Sequence, residues 1–557
     1  MLIIGAALYL ILLFTASHAK IGYFWQITDI HYNPRYSTNG DSRRNCRPPD
    51  GGHVGSSSRS PGRFGDYDCD PPWVLVESAV RFMRTRQGDN IEFILWTGDV
   101  TSRDVAASPE LQWAALSNIT ALMKTFFSSQ FVFPVLGHDD GPQRYSDLFE
   151  LWRTWLPPEA GNTFAAGGYY SIEMKKEKLR LVLLNTNLYM GAQTEEDPKG
   201  QWKWLETTLE KSKKNGETVF LVGHVPPGVD DRMPHGSAHP GSSFDSRFTR
   251  KYLRLVRQYH DVITGQFFGH LHADSFRIMF DAEGRRPVSW LMVAPAVTPR
   301  RQHGAAINPG LRLYTFNTDN GQIQDYEQFY LDLAAANTQE APEWQSEYSL
   351  RSYYGLPNVS AEALAALAVS FKDPARQELV QKYSRAVSVR QEGGSCDAAC
   401  AHRHFCAVTC LEAASYRDCV QTAASSLTSA APRPLVMRSP SEAAVAAVTV
   451  RNEGVRVPND RAGHRSAGRV ARTTGTRAPL DAPEVAHPLS PASRLSQIMA
   501  STAVHHPSPS TFLSTFSIGK REGEHAADEK MNSGTAVSDT VGSARFADDV
   551  KKLQLEL

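Results

Sequence analysis

Neither charge is in excess in this chain: 59 lysines and arginines stand against 59 aspartates and glutamates. There is thus no basic field for a nucleic-acid polymer and no acidic field that would repel phosphate esters. Long apolar runs are scarce. The first, Leu2 to Phe14, has thirteen residues, short of the ~20 that cross a bilayer as a helix. Ser17-His18-Ala19 after it offers a small residue for cleavage, so residues 1–19 read as a secretory signal, although no positive charge precedes the run. Aromatics nearly vanish at the far end, where only Phe512, Phe516 and Phe546 occur between 425 and 557. Such a segment buries too little apolar area to offset its chain entropy, and residues 425–557 are expected to be disordered. It carries no hydrophobic tail of the kind that marks a lipid anchor. No internal repeat is evident.

Cysteine is sparse, but its placement is informative. Seven cysteines in a chain with a leader fit an oxidising compartment. Cys46 and Cys69 flank a loop rich in Gly, Ser and Pro that a disulfide would pin. Cys396, Cys400, Cys406, Cys410 and Cys419 crowd a short segment, where disulfides are preferred over a zinc knuckle and the odd count leaves Cys410 as the candidate free thiol. Two sequons, at Asn118 and Asn358, agree with a secreted or cell-surface glycoprotein.

The chemistry sits in five short segments: Asp29-Ile30-His31, Gly98-Asp99, Gly137-His138-Asp139-Asp140, Gly223-His224 and Gly269-His270-Leu271-His272. Each follows an apolar run of strand length: Tyr23–Ile27, Ile91–Trp96, Phe131–Leu136, Val219–Val222 and Val262–Phe268. Buried strands ending in polar groups can bring carboxylates and imidazoles to one sheet edge. Oxygen and nitrogen donors without a thiolate are what a dinuclear metal site uses. Between the strands, Val74–Met83, Leu111–Phe127, Trp202–Leu209 and Phe248–Tyr259 show helical spacing, which predicts α/β layering from Ile21 to about Leu333. The short strands Phe276–Phe280, Trp290–Val293 and Leu311–Phe316 suggest a second, antiparallel-leaning sheet. The expected organisation is a leader (1–19), a catalytic domain (20–340), a helical, disulfide-stapled lobe (341–424) and the tail (425–557).

The five blocks, in this order, resemble those of the calcineurin-like metallophosphoesterases: D-x-H, G-D, G-N-H-D, G-H and G-H-x-H. Within that superfamily the strings Phe24-Trp25-Gln26-Ile27-Thr28-Asp29-Ile30-His31, Phe64-Gly65-Asp66-Tyr67-Asp68-Cys69-Asp70, Leu184-Asn185-Thr186-Asn187-Leu188-Tyr189 and Gly223-His224-Val225-Pro226-Pro227-Gly228 resemble the acid sphingomyelinase-like phosphodiesterases, the type 3b branch above all. The resemblance implies a four-layer α/β sandwich, two facing mixed sheets flanked by helices. It also implies two zinc ions per chain. One would take Asp29, His31, the bridging Asp99 and His272; the other would share Asp99 and add His224, His270 and an Asn of the third block. Cys396 would pair with Cys400, and Cys406 with Cys419. Two divalent ions ~3.5–4 Å apart neutralise phosphoryl oxygens and lower the pKa of a bound water, and a positioned imidazole protonates the leaving alkoxide.

The chain departs from that pattern twice. Its third block has no Asn. If the Asn is deleted, His138 is the general acid and Asp139 orients it; if nothing is deleted, His138 fills the ligand slot and Asp139 replaces the acid. The first assignment is preferred. After Gly98-Asp99, relatives continue with Asp and a Pro-His, where this chain has Val100-Thr101-Ser102-Arg103. Arg103 is either a solvated loop residue or a phosphate contact. No cysteine-rich lipid-extracting module stands between the leader and the first strand. The expected protein is therefore a secreted zinc phosphodiesterase, a monomer acting on small soluble phosphodiesters or nucleotides, with association at a membrane surface as an option. A catalytically impaired metal-binding or lipid-modulating homologue and a phosphomonoesterase are the alternatives.

Overall fold

In a computed structural model of the chain, the described residues are 20–48, 59–105, 108–140, 144–192, 194–230, 243–300, 306–391 and 395–429. The expected leader and nearly all of the expected tail lie outside them.

Among the described residues, twelve strands form two six-stranded sheets. In chain order they are β1 (Ile21–Ile27), β2 (Phe93–Trp96), β3 (Phe131–Pro134), β4 (Tyr170–Met174), β5 (Leu179–Leu183), β6 (Thr218–Val222), β7 (Ile263–Phe268), β8 (Ser275–Phe280), β9 (Pro287–Val293), β10 (Gly310–Asn317), β11 (Ile323–Leu331) and β12 (Trp344–Ser349). The first sheet runs β12-β11-β10-β1-β2-β3 and the second β4-β5-β6-β7-β9-β8. The parallel pairs β1–β2, β2–β3, β5–β6 and β6–β7 point the same end of each strand at the loops that carry the polar blocks.

Continuous apolar strands follow from burial on both faces. In the second sheet Leu181, Leu183, Phe220 and Val222 join the core between the sheets. Their neighbours Val182, Val219 and Leu221 instead lie with Trp202, Leu205, Phe248 and Tyr252 of the helices Gln201–Asn215 and Ser246–Gln258. Phe24 of β1 meets Phe267 of β7 edge to face, ring centroids 5.3 Å apart, across the sandwich. The helix Trp73–Gln87 buries Leu75, Val76, Ala79, Val80 and Met83, the spacing of one apolar stripe. The helix Pro109–Phe126 is started by Ser108, whose side chain accepts from the Leu111 amide, with Pro109 in the first turn. These layers are the sandwich expected from the sequence.

Two assignments differ. The sequence places 311–316 beside 276–280 and 290–293, but of these three only β8 and β9 join the second sheet; β10 crosses over and pairs antiparallel with β1. Arg312 on β10 binds Asp274, which precedes β8, in a fully enclosed ion pair, so the crossing strand ties the sheets together. The segment 341–424 opens with a strand, β12, paired with β11. Its sequence, Trp344-Gln345-Ser346-Glu347-Tyr348-Ser349, is that of a polar edge strand and lacks the apolar run that marks β2, β5 and β6. The helices Ala361–Ser370, Gln377–Val387 and Ala398–Thr409 follow. Tyr383 is hydrogen-bonded to Ser275 on β8 at 2.7 Å. Disulfides join Cys46–Cys69, Cys396–Cys400 and Cys406–Cys419, and Cys410 is a free thiol. No helix among the described residues is long and apolar enough to cross a membrane.

Candidate metal centre

The five polar blocks leave their strands and interlock by backbone hydrogen bonds. Asp29 N–H donates to Gly98 O and His31 N–H to Asp99 O, each at 3.0 Å. The Asp140 carboxylate accepts from the amides of Gly137, Asp99 and Val100 at 2.7, 3.1 and 2.6 Å, which locks the third block onto the second. The packing leaves no room for a side chain at the block glycines. A Cβ on Gly137 would lie 2.0 Å from the Asp99 nitrogen, and one on Gly269 2.0 Å from Thr28 Oγ1. Asp29, His31, Asp99, His270 and His272 all have φ between 48° and 69°. That left-handed region is costly for residues with a Cβ, and strain of this kind gathers at functional sites.

Two groups of donors result. Asp29, His31 and His272 form the first; Asp99, His138, His224 and His270 form the second, the donor atoms of each lying within 4.8 Å of one another. In the first group His272 Nε2 is 3.3 Å from Asp29 Oδ1 and 3.1 Å from His31 Nε2. In the second, Asp99 Oδ2 lies 2.9 Å from His138 Nδ1 and 3.0 Å from His224 Nε2. Asp99 Oδ2 is also 3.6 Å from His31 Nε2, so this one oxygen faces both groups.

The fit to cations is tested by the carboxylates. Asp29 Oδ2 accepts from Thr28 Oγ1 and the His270 amide at 2.7 and 2.8 Å, while Asp99 Oδ1 accepts from the Asp139 amide at 2.8 Å. Their other oxygens, Asp29 Oδ1 and Asp99 Oδ2, are buried and turned toward imidazole nitrogens. The rings are aimed from behind. His224 Nδ1 donates to Thr97 O at 2.7 Å and His272 Nδ1 to Arg300 O at 2.8 Å, which turns each Nε2 lone pair inward. Burial disfavours an imidazolium at His224, yet the Asp99 carboxylate overrides it and pushes the pKa up to about 10. Burial likewise raises the Asp99 carboxyl, but His224 and His138 hold it well below the usual carboxylate range. A pocket whose carboxylates favour positive charge this firmly suits divalent cations, which would take the place of the imidazolium protons.

All six residues expected as ligands are therefore brought together. His138 lies beside them. The sequence favours it as a proton donor, but the structure turns its Nδ1 into the second donor group. The reason is steric: Gly137 packs directly on Asp99, so the next side chain is the one that reaches the carboxylate. Asp139 lies outside, its Oδ2 2.5 Å from Arg103 Nε. Asp140 and Asn187 were missed as site residues. Asn187 Nδ2 donates to Gly137 O at 2.9 Å and its Oδ1 is buried without a hydrogen bond. The signal was present, since Asn185-Thr186-Asn187 follows the apolar β5 as the other blocks follow their strands. Outside this site, the cysteines near His402 and His404 are held in disulfides, and His402 Nε2 lies 2.8 Å from Cys419 O. Asn358 is exposed, while Asn118 is half-buried in mid-helix and its sequon partner Thr120 is buried.

Comparison with known proteins agrees with this construction. The calcineurin-like phosphoesterase family profile matches residues 22–274, and that of the acid sphingomyelin phosphodiesterase C-terminal region matches residues 286–426. The acid sphingomyelinase-like phosphodiesterase 3b of Homo sapiens is 34% identical over 432 residues, covering 72% of this chain and 91% of its own. The chain belongs to the acid sphingomyelinase-like phosphodiesterases. The cyclic GMP-AMP phosphodiesterase SMPDL3A of Homo sapiens is also 34% identical, over 422 residues, covering 72% of this chain and 90% of its own. The sphingomyelinase phosphodiesterase C of Dictyostelium discoideum is 29% identical over 429 residues. As a member of this family the chain is a phosphoester hydrolase of metallophosphoesterase type, and its fold implies divalent metal binding at a His/Asp cluster.

Proposed function

We propose that this protein is a secreted, monomeric, dinuclear zinc phosphodiesterase that hydrolyses small phosphodiesters or nucleotides. The observation that carries the reading is the single buried oxygen of Asp99 facing both donor groups. Asp29, His31 and His272 would hold one cation, and His138, His224 and His270 the other, with Asp99 common to both. Five imidazoles, two carboxylates and no thiolate favour zinc among the available divalent metals. When bound, two such cations neutralise phosphoryl oxygens and supply a nucleophilic water of lowered pKa.

The chain's own residues do the rest. Thr97 O and Arg300 O fix two of the rings in the tautomer that presents Nε2. Asp140 holds the loops in register, and Arg103 and Asp139 stand at the outer rim, with side chains 44% and 12% exposed. The relatives' names support a phosphodiester as the substrate class: one is named a cyclic GMP-AMP phosphodiesterase and another a sphingomyelinase phosphodiesterase.

A second reading rests on His138. With its ring among the donors, His138 is not available to protonate a leaving group. That favours a homologue that binds cations and phosphate but turns over slowly. Zinc content measured beside turnover of a chromogenic phosphodiester and the matching monoester separates the cases. Two zinc ions with diester preference supports the first, and two zinc ions without turnover the second. Faster monoester cleavage would make it a phosphomonoesterase, and no bound metal would overturn all three.

A further inference from the structure

Arg103 stands beside the third block at the rim of the donor groups, and its contacts are unusual. Its Nε donates to Asp139 Oδ2 at 2.5 Å, and its Nη2 lies 2.6 Å from His138 Nε2. A guanidinium has only donors, so His138 Nε2 must accept. A neutral imidazole that accepts at Nε2 carries its proton on Nδ1, and here Nδ1 lies 2.9 Å from Asp99 Oδ2, as a hydrogen bond to that carboxylate requires.

A cation at the second donor group needs the Nδ1 lone pair. The proton then sits on Nε2, where it faces the Arg103 N–H donor, and two donors repel. Asp139 Oδ1, 3.6 Å from His138 Nε2, is the acceptor within reach of that proton. The guanidinium keeps Asp139 through Nε and loses its hold on His138. Its side chain is 44% exposed, so both Nη groups can turn to the rim.

We propose that cation binding at His138 releases Arg103 to take a phosphoryl oxygen of the substrate. Anion capture by Arg103 is then conditional on the metal. The inference rests on the dinuclear reading above and adds to it a residue and a coupling. A fork of donors freed over two cations suits a phosphate better than a neutral ester, and the charge-assisted bonds it makes are among the stronger ones available. Asp139 acts as a positioning residue, holding the guanidinium over the pair in either arrangement.

The test is calorimetric titration of inorganic phosphate into wild type, Arg103→Ala and Arg103→Lys, each with and without zinc, with zinc content measured in parallel. With two zinc ions bound, Arg103→Ala should weaken phosphate about ten- to a hundred-fold, the worth of hydrogen bonds to a charged group. Arg103→Lys, which keeps charge but not the fork, should fall between. Without zinc, the same substitutions should change phosphate binding by no more than about twofold, since Arg103 is then engaged by His138. Equal weakening with and without zinc overturns the coupling. Unchanged affinity at two zinc ions per chain overturns the contact, and loss of zinc in Arg103→Ala would make the residue part of the metal site instead. If no form of the chain takes up zinc, the dinuclear reading fails and this inference with it.

Discussion

Replacing Asp99 with Asn tests the centre most directly, because it removes one charge and little else. The backbone there has φ 54°, a conformation Asn tolerates better than most residues, and Asn Oδ1 can still accept from the Asp139 amide. What disappears is the negative oxygen that faces both donor groups. Unit charges 4 Å apart at an effective dielectric constant of about 20 interact by ~4 kcal/mol, so two divalent ions at that separation repel by roughly 16 kcal/mol. An anion between them is needed to offset this, and Asp99 is the carboxylate whose Oδ2 faces both groups. The variant is expected to keep at most one tightly held cation and to lose diester turnover by on the order of a thousand-fold, the several kcal/mol that metal stabilisation of the transition state supplies. A cation present at a thousand times its Kd stabilises the fold by about 4 kcal/mol, so the chelator-sensitive part of the melting temperature should shrink as well. Metal content after gel filtration, turnover, and melting with and without chelator are the measurements. An Asp99→Asn protein that holds two cations and turns over substrate near the wild-type rate would refute the shared-carboxylate argument.

His138→Ala should hold one cation fewer, with added zinc partly restoring the rate; two retained cations with strongly reduced turnover would return His138 to the role of proton donor. His138→Asn, which offers an amide oxygen in place of the imidazole, should keep both cations, as metal analysis would show. Cys69→Ser opens a bridge spanning 23 residues, and loops of this size predict a cost of about 3 kcal/mol, read from denaturant melts. Peptide mapping that finds Cys46 and Cys69 both as free thiols in the wild type would remove that expectation. Glu217 is buried against Arg180, with oxygens 2.7 and 2.9 Å from its donors. Burial raises the carboxyl, but the Arg180 hydrogen bonds and charge win and hold it below the usual range. A lowered folded-state pKa adds stability above the unfolded value and loses it as pH falls through the folded one. Glu217→Gln should therefore cost about 1–3 kcal/mol at neutral pH, and the gap to wild type should close below about pH 4. A gap independent of pH would show that the charge is not what matters.

The blocks were legible because the site constrains the sequence in two ways at once. A strand buried on both faces must read as an apolar run, and a loop that packs on another loop must begin with glycine, as Gly137 does against Asp99. Chain pairing left no such mark. Residues 311–316 read clearly as a strand, but nothing in an apolar run says which sheet it joins, and the Arg312–Asp274 contact that fixes the crossing spans 38 residues. Strand β12 was invisible because an edge strand keeps one side polar.

The third block was undecided for a deeper reason. Whether His138 donates a proton or ligates depends on how far its ring lies from Asp99, and that distance is set by loop packing rather than by the order of residues. The same holds for the left-handed φ angles at Asp29, His31, Asp99, His270 and His272. An Asp or His in that region costs about 1–2 kcal/mol, and in sequence it looks like any other. Five such positions around two sets of inward lone pairs persist because the interlocked backbone holds them. The donors are thus set in place by the interlocked backbone. Softening that interlock at Asp140, which holds three backbone amides, would damage cation binding without touching a single proposed ligand.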